Sequence, residues 1–219
     1  TIINLYMHIA WRLVEISRIE LARRTGLAPS TVSKMVGELI EAGLLRESHA
    51  ARTNGGRPPI VLRFQDDAYQ LLGVDLGATH VSVILTDLRG RVLSWTSRPH
   101  PVQSDPTGTL ARVAEMVGEA LTAEEARADR VIGLGLGVPA PVDPAEPDLL
   151  PERILPAWAG VRPAEWLADE LALPVHIGND ANLCALAETW FGAGRDLSSL
   201  AYVKLGTGVG AGLVIGREI

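Results

Sequence analysis

The stretch LLGVDLGATHVSVILTD, residues 71–87, decides the fold. An apolar run over residues 71–76 carries Asp75 near its end, a turn of small residues follows, and residues 80–87 form a second apolar run. Short apolar runs separated by a glycine turn are typical of neighbouring β-strands. Residues 91–97 follow another glycine-containing turn as a third strand candidate. The pattern therefore predicts a three-stranded meander.

The rest of the chain alternates predicted helices and strands after this meander. We expect helices over residues 110–126, 162–171 and 180–191, and strands over residues 131–138, 174–177, 200–205 and 209–215. Residues 139–157 are rich in proline and acidic residues, and they are predicted to form a long surface loop. Alternation of this kind predicts an α/β domain.

Charge is distributed unevenly along the 219 residues, whose formal net charge is −6. Residues 1–65 contain nine Lys and Arg residues and five acidic residues, a balance of +4 that leaves −10 for the remainder. A basic segment on an acidic one is typical of a DNA-reading module joined to a separate sensor or enzyme. We call residues 1–65 the head and residues 66–219 the body.

The composition favours a cytoplasmic protein. Cys184 is the only cysteine, so no internal disulfide can form and nothing indicates secretion. Polar residues and glycine interrupt the apolar runs well short of a membrane span. The polar residues of the N-terminal stretch exclude a signal-peptide core. Because the chain starts at Thr1 rather than Met and stops at Ile219 just after a strand-like run, we expect a fragment of a longer protein.

The head carries the pattern of a helix-turn-helix. Apolar residues at helical spacing predict a helix over residues 2–16. Ser17 and Glu20 have the spacing of a capping box that opens a second, short helix, and Gly26 ends it. Pro29 suits the first turn of a third helix. The apolar face of that helix contains Val32, Met35, Val36, Leu39 and Ile40.

The third helix is the predicted recognition helix, because two short helices joined by a tight glycine turn are typical of DNA-binding proteins. Its candidate DNA contacts are Ser30, Thr31, Ser33 and Lys34, whose hydroxyls and ammonium suit base edges and phosphates. Ala28 stands where a capping hydroxyl is expected, so this helix start is predicted to be less well capped. A small helical bundle without DNA is the competing interpretation, and the charge asymmetry argues against it.

Two short strand candidates, residues 44–47 and 60–64, flank a polar loop and predict a winged helix. The loop contains Gly-Gly-Arg-Pro, in which Pro58 keeps Arg57 extended. An extended arm of this kind suits a narrow A·T minor groove, with Arg57 at its bottom. A solvated wing tip and linker explains the loop equally well, so both interpretations stay open.

Three short segments of the body carry polar groups that suit phosphate or sugar chemistry. Asp75-Leu-Gly-Ala-Thr79 places an aspartate and a hydroxyl beside a glycine turn, which suits a metal-bound water or a phosphate. Gly206-Thr-Gly-Val-Gly210 lets backbone N–H groups approach a phosphate closely. In Gly178-Asn-Asp-Ala-Asn182, Asp180 is a candidate proton acceptor for a substrate hydroxyl. Singly each is weak evidence, because glycine turns are mostly hairpins and Asn-Asp before a helix is mostly a cap.

In combination these segments resemble the ROK family (repressors, open reading frames and sugar kinases). The resemblance rests on Asp75-x-Gly-x-Thr79, Gly135-x-Gly-Val-Pro139 with Pro141-Val-Asp143, Asn179-Asp-Ala-Asn182 and Gly206-Thr-Gly-Val-Gly-Ala-Gly212. It extends to the head, where Arg18-x-Glu-Leu-Ala-Arg-Arg-Thr-Gly-Leu27, Ser30-Thr-Val-Ser33 and Gly-Gly-Arg-Pro58 resemble the winged helix and linker of the family's regulators. Essentially the whole chain is covered.

The resemblance implies an α/β protein with an N-terminal winged helix-turn-helix over residues 1–65 and an actin-like, ribonuclease-H-like domain after it. The first lobe of that domain would span residues 66–178, and residues 179–219 would begin a second lobe that is incomplete here. Matched residue by residue, Asp75, Gly77 and Thr79 would line a first phosphate-binding turn, and Gly206, Thr207 and Gly208 a second. Asn179 and Asp180 would contact a sugar, and Asp180 matches the family's kinase base.

Two departures from the family pattern lie near these segments. Gly178 stands where many members have glutamate, and Ala140 where many have glycine. The family's Glu-x-Gly-His sugar segment and cysteine-rich zinc motif are expected beyond Ile219. We therefore predict no metal site and no certain cofactor within these residues, with ATP and Mg²⁺ expected only if the protein is a kinase.

The favoured hypothesis is a transcriptional regulator of carbohydrate metabolism, with repressor as the commoner family role. Its partners would be a DNA operator, a sugar or sugar-phosphate effector and a second copy of itself, with no membrane. An ATP-dependent sugar kinase with an appended DNA-binding head is the alternative, in which Asp180 would deprotonate the acceptor hydroxyl. A third hypothesis is an α/β domain whose helical head makes protein contacts.

Overall fold

A computed structural model of the chain describes residues 15–49 and 60–219. The chain divides into two compact units between Ala68 and Tyr69. Most of the predicted helix over residues 2–16 and the whole loop around Arg57 lie outside the described residues. Within the described ranges, no helix combines the length and the apolar character that crossing a membrane requires.

The first unit contains the predicted helix-turn-helix, formed by α1 (Arg18–Thr25) and α2 (Pro29–Glu41). The Oγ of Ser17 accepts a hydrogen bond from the N–H of Glu20 at 3.1 Å, as the capping pattern predicts. Gly26 ends α1 with φ of 69°, a left-handed conformation that glycine adopts without strain. Ala28 makes no side-chain cap for α2, which confirms that prediction. The buried face of α2 consists of Val32, Met35, Val36 and Leu39.

A two-stranded antiparallel wing follows the helices. Strand β1 (Leu45–His49) pairs with β2 (Ile60–Phe64). Ile16 forms an additional bridge to Leu62, with N···O distances of 3.1 and 2.8 Å in the two directions. The prediction that the first helix extends to Ile16 is therefore wrong. A β-branched side chain buries equally well from an extended backbone, and pairing with β2 satisfies both backbone groups of Ile16.

The second unit is built on a five-stranded sheet with the order β5-β4-β3-β6-β7. Its strands are β3 (Gln70–Leu76), β4 (His80–Asp87), β5 (Val92–Pro99), β6 (Val131–Val138) and β7 (Val175–Asn179). The first three form the predicted antiparallel meander. β6 and β7 then add in parallel beside β3. Parallel neighbours need crossover connections, which explains why helices occur only after the meander.

The crossover helices α3 (Pro106–Ala120) and α4 (Pro163–Leu171) contribute to the hydrophobic core of this unit. Alternate residues of the central strands supply the other side of the core, for example Val74, Val83 and Leu136. The helix predicted over residues 110–126 begins earlier and ends earlier than expected. Asp105 caps α3 by accepting a hydrogen bond from the N–H of Gly108 at 2.9 Å.

The segment between β6 and α4 contains the predicted surface loop of residues 139–157, most of which is exposed, but the segment is also anchored in the core. It buries a row of apolar side chains in the core, namely Ala140, Leu150, Leu155 and Trp158. The indole Nε1–H of Trp158 donates to the carbonyl oxygen of Val102 at 2.8 Å. The sequence did not predict this anchoring, because the buried residues are separated by proline and polar residues and follow no regular spacing.

A helix and a hairpin complete the described chain. Helix α5 (Asp180–Trp190) follows β7 without an intervening loop. Strands β8 (Leu200–Leu205) and β9 (Val209–Val214) pair in antiparallel fashion as a separate sheet. Ala181 and Ala185 of α5 lie against β9 through Gly210 and Gly212.

Candidate functional site

Three residues, one on each of the neighbouring parallel strands β3, β6 and β7, are paired side by side at the carboxyl ends of these strands. Asp75 of β3 pairs with Gly137 of β6, and Gly137 pairs with Gly178 of β7. The two glycines leave the space beside Asp75 free of side chains from their own strands, and Leu183 of α5 contacts both positions. Ligands of open α/β sheets bind outside the carboxyl ends of the strands. We call the surface formed by Asp75, Gly137, Gly178, Asn179 and Asp180 the cleft.

Asn179 caps α5, as the simplest interpretation of an Asn-Asp pair predicts. Its Oδ1 accepts a hydrogen bond from the N–H of Asn182 at 3.1 Å. Its Nδ2 donates to the carbonyl oxygen of Ala140 and to Oδ1 of Asp180, both at 3.1 Å. The side-chain amide therefore ties α5 to the segment that follows β6, and it also orients Asp180.

Asp180 begins α5 with its side chain mostly shielded from solvent. In addition to the bond from Asn179, Oδ1 accepts a hydrogen bond from the N–H of Ala181 at 2.7 Å. An acidic residue in the first turn of a helix is stabilised by the helix dipole. Its other oxygen, Oδ2, lies 2.6 Å from Nζ of Lys204 in β8.

Lys204 of β8 adds a sixth residue to the cleft, one that the sequence did not indicate. Burial acts to lower the pKa of Lys204, but the hydrogen bond to Asp180 and the negative charges of Asp75 and Asp180 outweigh that effect and hold the pKa above its usual value. Lys204 therefore stays an ammonium. The alternating pattern of β8 could not identify Asp180 as the partner of Lys204, because Asp180 lies 24 positions earlier in the sequence.

The first predicted phosphate-binding turn is closed by its own backbone. The N–H of Gly77 donates to the carbonyl oxygen of His80 at 3.0 Å. The imidazole of His80 lies so close over Gly77 that a Cβ at that position would overlap the ring. His80 Nε2 is also 3.4 Å from Oδ2 of Asp75. Thr79 is exposed at the turn, and its carbonyl oxygen accepts a hydrogen bond from the N–H of His100.

The second predicted turn, Gly206 to Gly208, is the exposed tip of the β8–β9 hairpin. The N–H of Gly206 donates to the carbonyl oxygen of Gly208 at 3.0 Å. A Cβ on either glycine would meet no atom within 4 Å, so the tip is open. Thr207 is exposed at the same tip.

Gly212, further along β9, has a packing role. A Cβ at this position would collide with the backbone carbonyl of Ala181 and would lie 2.8 Å from Cβ of Ala185. The glycines of the Gly-Val-Gly-Ala-Gly run thus serve two purposes, an open tip and a close contact between strand and helix.

Replacing Gly212 by alanine is expected to destabilise the second unit by about 1–3 kcal/mol, because the hairpin must move away from α5 to admit a methyl group. Urea unfolding followed by circular dichroism measures the effect. Gly118→Ala is the matched control, since this exposed glycine of α3 has open space around it and alanine is the better helix former by about 1 kcal/mol. Equal stability of the Gly212 variant and the unmodified protein would contradict the packing role.

The head presents the predicted contact residues on one exposed surface of α2. Ser30, Thr31, Ser33 and Lys34 are all exposed, opposite the buried face of the helix. Among the described residues, no ion pair involves Lys34 or Arg46. Arg46 is an exposed residue of the wing strand β1, and the sequence analysis did not single it out. Arg57, the predicted minor-groove residue, lies outside the described residues.

The remaining described basic residues of the head form ion pairs. Arg18 binds Glu47 at 2.7 Å, and Arg63 binds Glu15. Side-chain hydrogen bonds from Arg23 and Arg24 lower the pKa of Glu20 from its usual 4.5 to about 2. These pairs leave Lys34 and Arg46 as the described head cations best placed to meet an external anion.

Metal-binding residues are not clustered in the part of the chain that the structure describes. No group of three or more His, Cys, Asp or Glu side chains there has the arrangement of a metal site. Cys184 is a free, partly buried thiol.

Both units of the chain match models of known protein families. The ROK family model matches residues 71–219, and a winged helix-turn-helix DNA-binding model matches residues 15–46. The chain is 30% identical over 204 residues to the xylose repressor of Bacillus spizizenii, covering 93% of this chain and 52% of the repressor. The chain thus spans about half the length of the curated relatives it matches.

Solved structures agree with this assignment. The crystal structure of a ROK family transcriptional regulator, described as a homologue of the E. coli MLC protein, superimposes with a TM-score of 0.79 at 26% identity, over 99% of this chain and 56% of that one. A ROK family glucokinase from Streptomyces griseus, in complex with glucose and AMPPNP, gives a TM-score of 0.59 at 28% identity, over 68% of this chain and 45% of the glucokinase. The predicted fold class, a winged helix-turn-helix followed by an actin-like sugar-kinase-type domain, is confirmed. The meander with its parallel strands, the Asn-Asp helix start and the glycine hairpin all agree with the family model. This chain belongs to the ROK family.

Proposed function

We propose that this protein is a DNA-binding transcriptional repressor whose affinity for its operator is set by a sugar or sugar phosphate. The observation that carries the proposal is the exposed surface of α2. Three hydroxyl side chains and a lysine face outward at the N-terminal part of a helix whose opposite face is buried. This is the surface that a recognition helix presents to the major groove.

The head is joined to a ROK body. This combination supports a protein that senses a ligand and binds DNA, rather than one that only binds DNA. The xylose repressor of Bacillus spizizenii and the MLC homologue are similar over nearly the whole chain. The glucokinase is similar over 68% of this chain. The cleft offers carboxylate and amide groups at the sheet edge, which suits hydroxyl-rich ligands.

The sensor function is tested by measuring operator affinity with and without sugars such as xylose and glucose. The inducing sugar is expected to weaken operator binding at least about fivefold, the lower end of typical coupling free energies. Asp180→Asn is expected to remove this response and leave affinity in the absence of sugar unchanged, because Asp180 belongs to the body. A sugar that binds the protein without altering operator affinity would contradict the proposal.

The competing function is an ATP-dependent sugar kinase, which the retention of Asp75, Thr79, Asp180 and Thr207 favours. A coupled assay for ADP release, run with the same sugars, distinguishes the two functions. As a regulator, the protein shows no sugar-dependent ADP release above the background of its Asp180→Asn variant.

We also propose that the working form is a homo-oligomer. Helix-turn-helix regulators act as dimers on paired half-sites, and the spacing of the half-sites mirrors the two-fold symmetry of the protein. Footprints of two half-sites separated by a whole number of helical turns are the expected result.

A further inference from the structure

The cleft contains a cation of its own, the ammonium of Lys204. Its Nζ lies 2.6 Å from Oδ2 of Asp180, and the two side chains are 35% and 12% exposed, respectively. The negative charge of Asp75 also acts to raise the pKa of Lys204, so Asp75 is near enough to interact with the ammonium electrostatically. An ion pair that is shielded on the carboxylate side is weakened less by salt than a pair on the open surface.

The hydrogen bonds of Asp180 leave little room for a proton-accepting role. Oδ1 accepts from the N–H of Ala181 and from Nδ2 of Asn179, and Oδ2 accepts from Lys204. A carboxylate offers about four lone-pair positions, so roughly one remains. A general base must lie within hydrogen-bond reach of the hydroxyl that it deprotonates. At Oδ2, an ammonium takes one of the two lone-pair positions and leaves a single position for a hydroxyl.

The same ammonium conflicts with a nucleotide-bound Mg²⁺. Mg²⁺ in phosphoryl-transfer sites is held by one or two carboxylates together with phosphate oxygens. Asp75 and Asp180 are the cleft carboxylates available for this purpose, and Lys204 already neutralises one charge of the pair. A divalent cation beside Lys204 would meet like-charge repulsion at close range. The residues of the cleft therefore do not fit the metal-nucleotide complex of a sugar kinase.

We propose that Lys204 is a positioning residue that replaces the divalent cation of the cleft. It holds Asp180 in place, so that the remaining lone-pair position of Oδ2 accepts a hydrogen bond from a sugar hydroxyl. The inference rests on the proposed function for the identity of the sugar ligand, but its metal-binding consequence does not. The ROK body of this protein is thereby committed to binding a sugar without phosphorylating it.

The test is Mn²⁺ binding to the full-length protein, measured by electron paramagnetic resonance, with Mn²⁺ standing in for Mg²⁺. Lys204→Met removes the ammonium and keeps the length of the side chain. It is expected to bind Mn²⁺ about tenfold or more tightly than the unmodified protein, because the ammonium no longer offsets the negative charge of Asp180 and Asp75. Adding Asp180→Asn to Lys204→Met is expected to abolish the gain.

A second variant and a matched control keep the outcome interpretable. Lys204→Gln serves if Lys204→Met fails to fold. Arg112→Met is the control, because Arg112 is a surface cation paired with Glu115 at 2.7 Å outside the cleft, and it is expected to leave Mn²⁺ affinity unchanged. Equal Mn²⁺ affinity of the unmodified and Lys204 variants would overturn the proposal, as would a gain that survives Asp180→Asn.

Operator binding measured on the same proteins separates this inference from the proposed function. If Lys204→Met gains Mn²⁺ affinity but no sugar alters operator binding of the unmodified protein, the role of Lys204 stands and the sensor function fails. If sugars release the operator but Lys204→Met gains no Mn²⁺, the sensor function stands and the role of Lys204 fails.

Discussion

Replacing Trp158 by alanine is expected to lower the free energy of unfolding of the second unit by about 3–5 kcal/mol, the usual cost of deleting a large buried aromatic side chain. Trp158 is 0% exposed within the core. Its indole also donates a hydrogen bond to the carbonyl oxygen of Val102. The variant therefore leaves a cavity and an unsatisfied buried acceptor, and the two penalties act together.

Chemical denaturation followed by circular dichroism measures this loss, because the far-ultraviolet signal does not depend on the deleted fluorophore. Trp95→Ala is the matched control, since Trp95 of β5 is 64% exposed and surface changes usually stay within about 0.5 kcal/mol. Trp158→Phe separates the two penalties, because it retains most of the ring volume and loses only the donor. If the two alanine variants unfold at the same urea concentration, the segment between β6 and α4 is not part of the core.

The second large expected effect is the salt dependence of DNA binding. If paired heads together make about six to ten phosphate contacts, operator affinity is expected to fall by about 10³–10⁵ between roughly 50 and 200 mM salt, because bound counterions are released. Lys34→Gln is expected to weaken binding to specific and unrelated DNA alike and to reduce the slope of log K against log salt by about 1 per lysine. Fluorescence anisotropy over a salt series provides both numbers.

Arg112→Gln is the control for this experiment, since it removes one positive charge from the body and is expected to leave the slope unchanged. Thr31→Val tests a different kind of contact, because it removes a hydroxyl without altering charge and should affect the operator more than unrelated DNA. Binding that is insensitive to salt would instead support a head used for protein contacts.

Sequence patterns correctly predicted the parts of the fold whose structure depends on residues close together in the chain. The meander around residues 71–87, the two helices of the head and the missing hydroxyl cap at Ala28 each depend on neighbouring residues. The start of α3 was also readable in principle, because Asp105 followed by proline is a helix-start signal. The apolar spacing from Leu110 onward outweighed that signal, and the predicted helix began too late.

The features that sequence analysis missed depend on residues far apart in the chain. Ile16 is extended because Leu62 pairs with it, 46 positions later. Lys204 became a cleft residue only when β8 packed against α5. Trp158 lies just beyond the predicted surface loop of residues 139–157, and its burial depends on contacts with other elements, among them the hydrogen bond to Val102. Patterns within a short window contain no information about such partners.

The contact between Gly212 and Ala181 also has a mechanical consequence. A strand that touches a helix through backbone atoms has no side chains that can change rotamer and let the two elements slide. Lys204 on the hairpin and Asp180 at the start of α5 therefore belong to one closely packed block of helix and hairpin. Among the described residues, the chain joins this block to the sheet that carries Asp75 at the peptide unit between Asn179 and Asp180, so we expect a change in the distance between Asp75 and the block to bend the chain there.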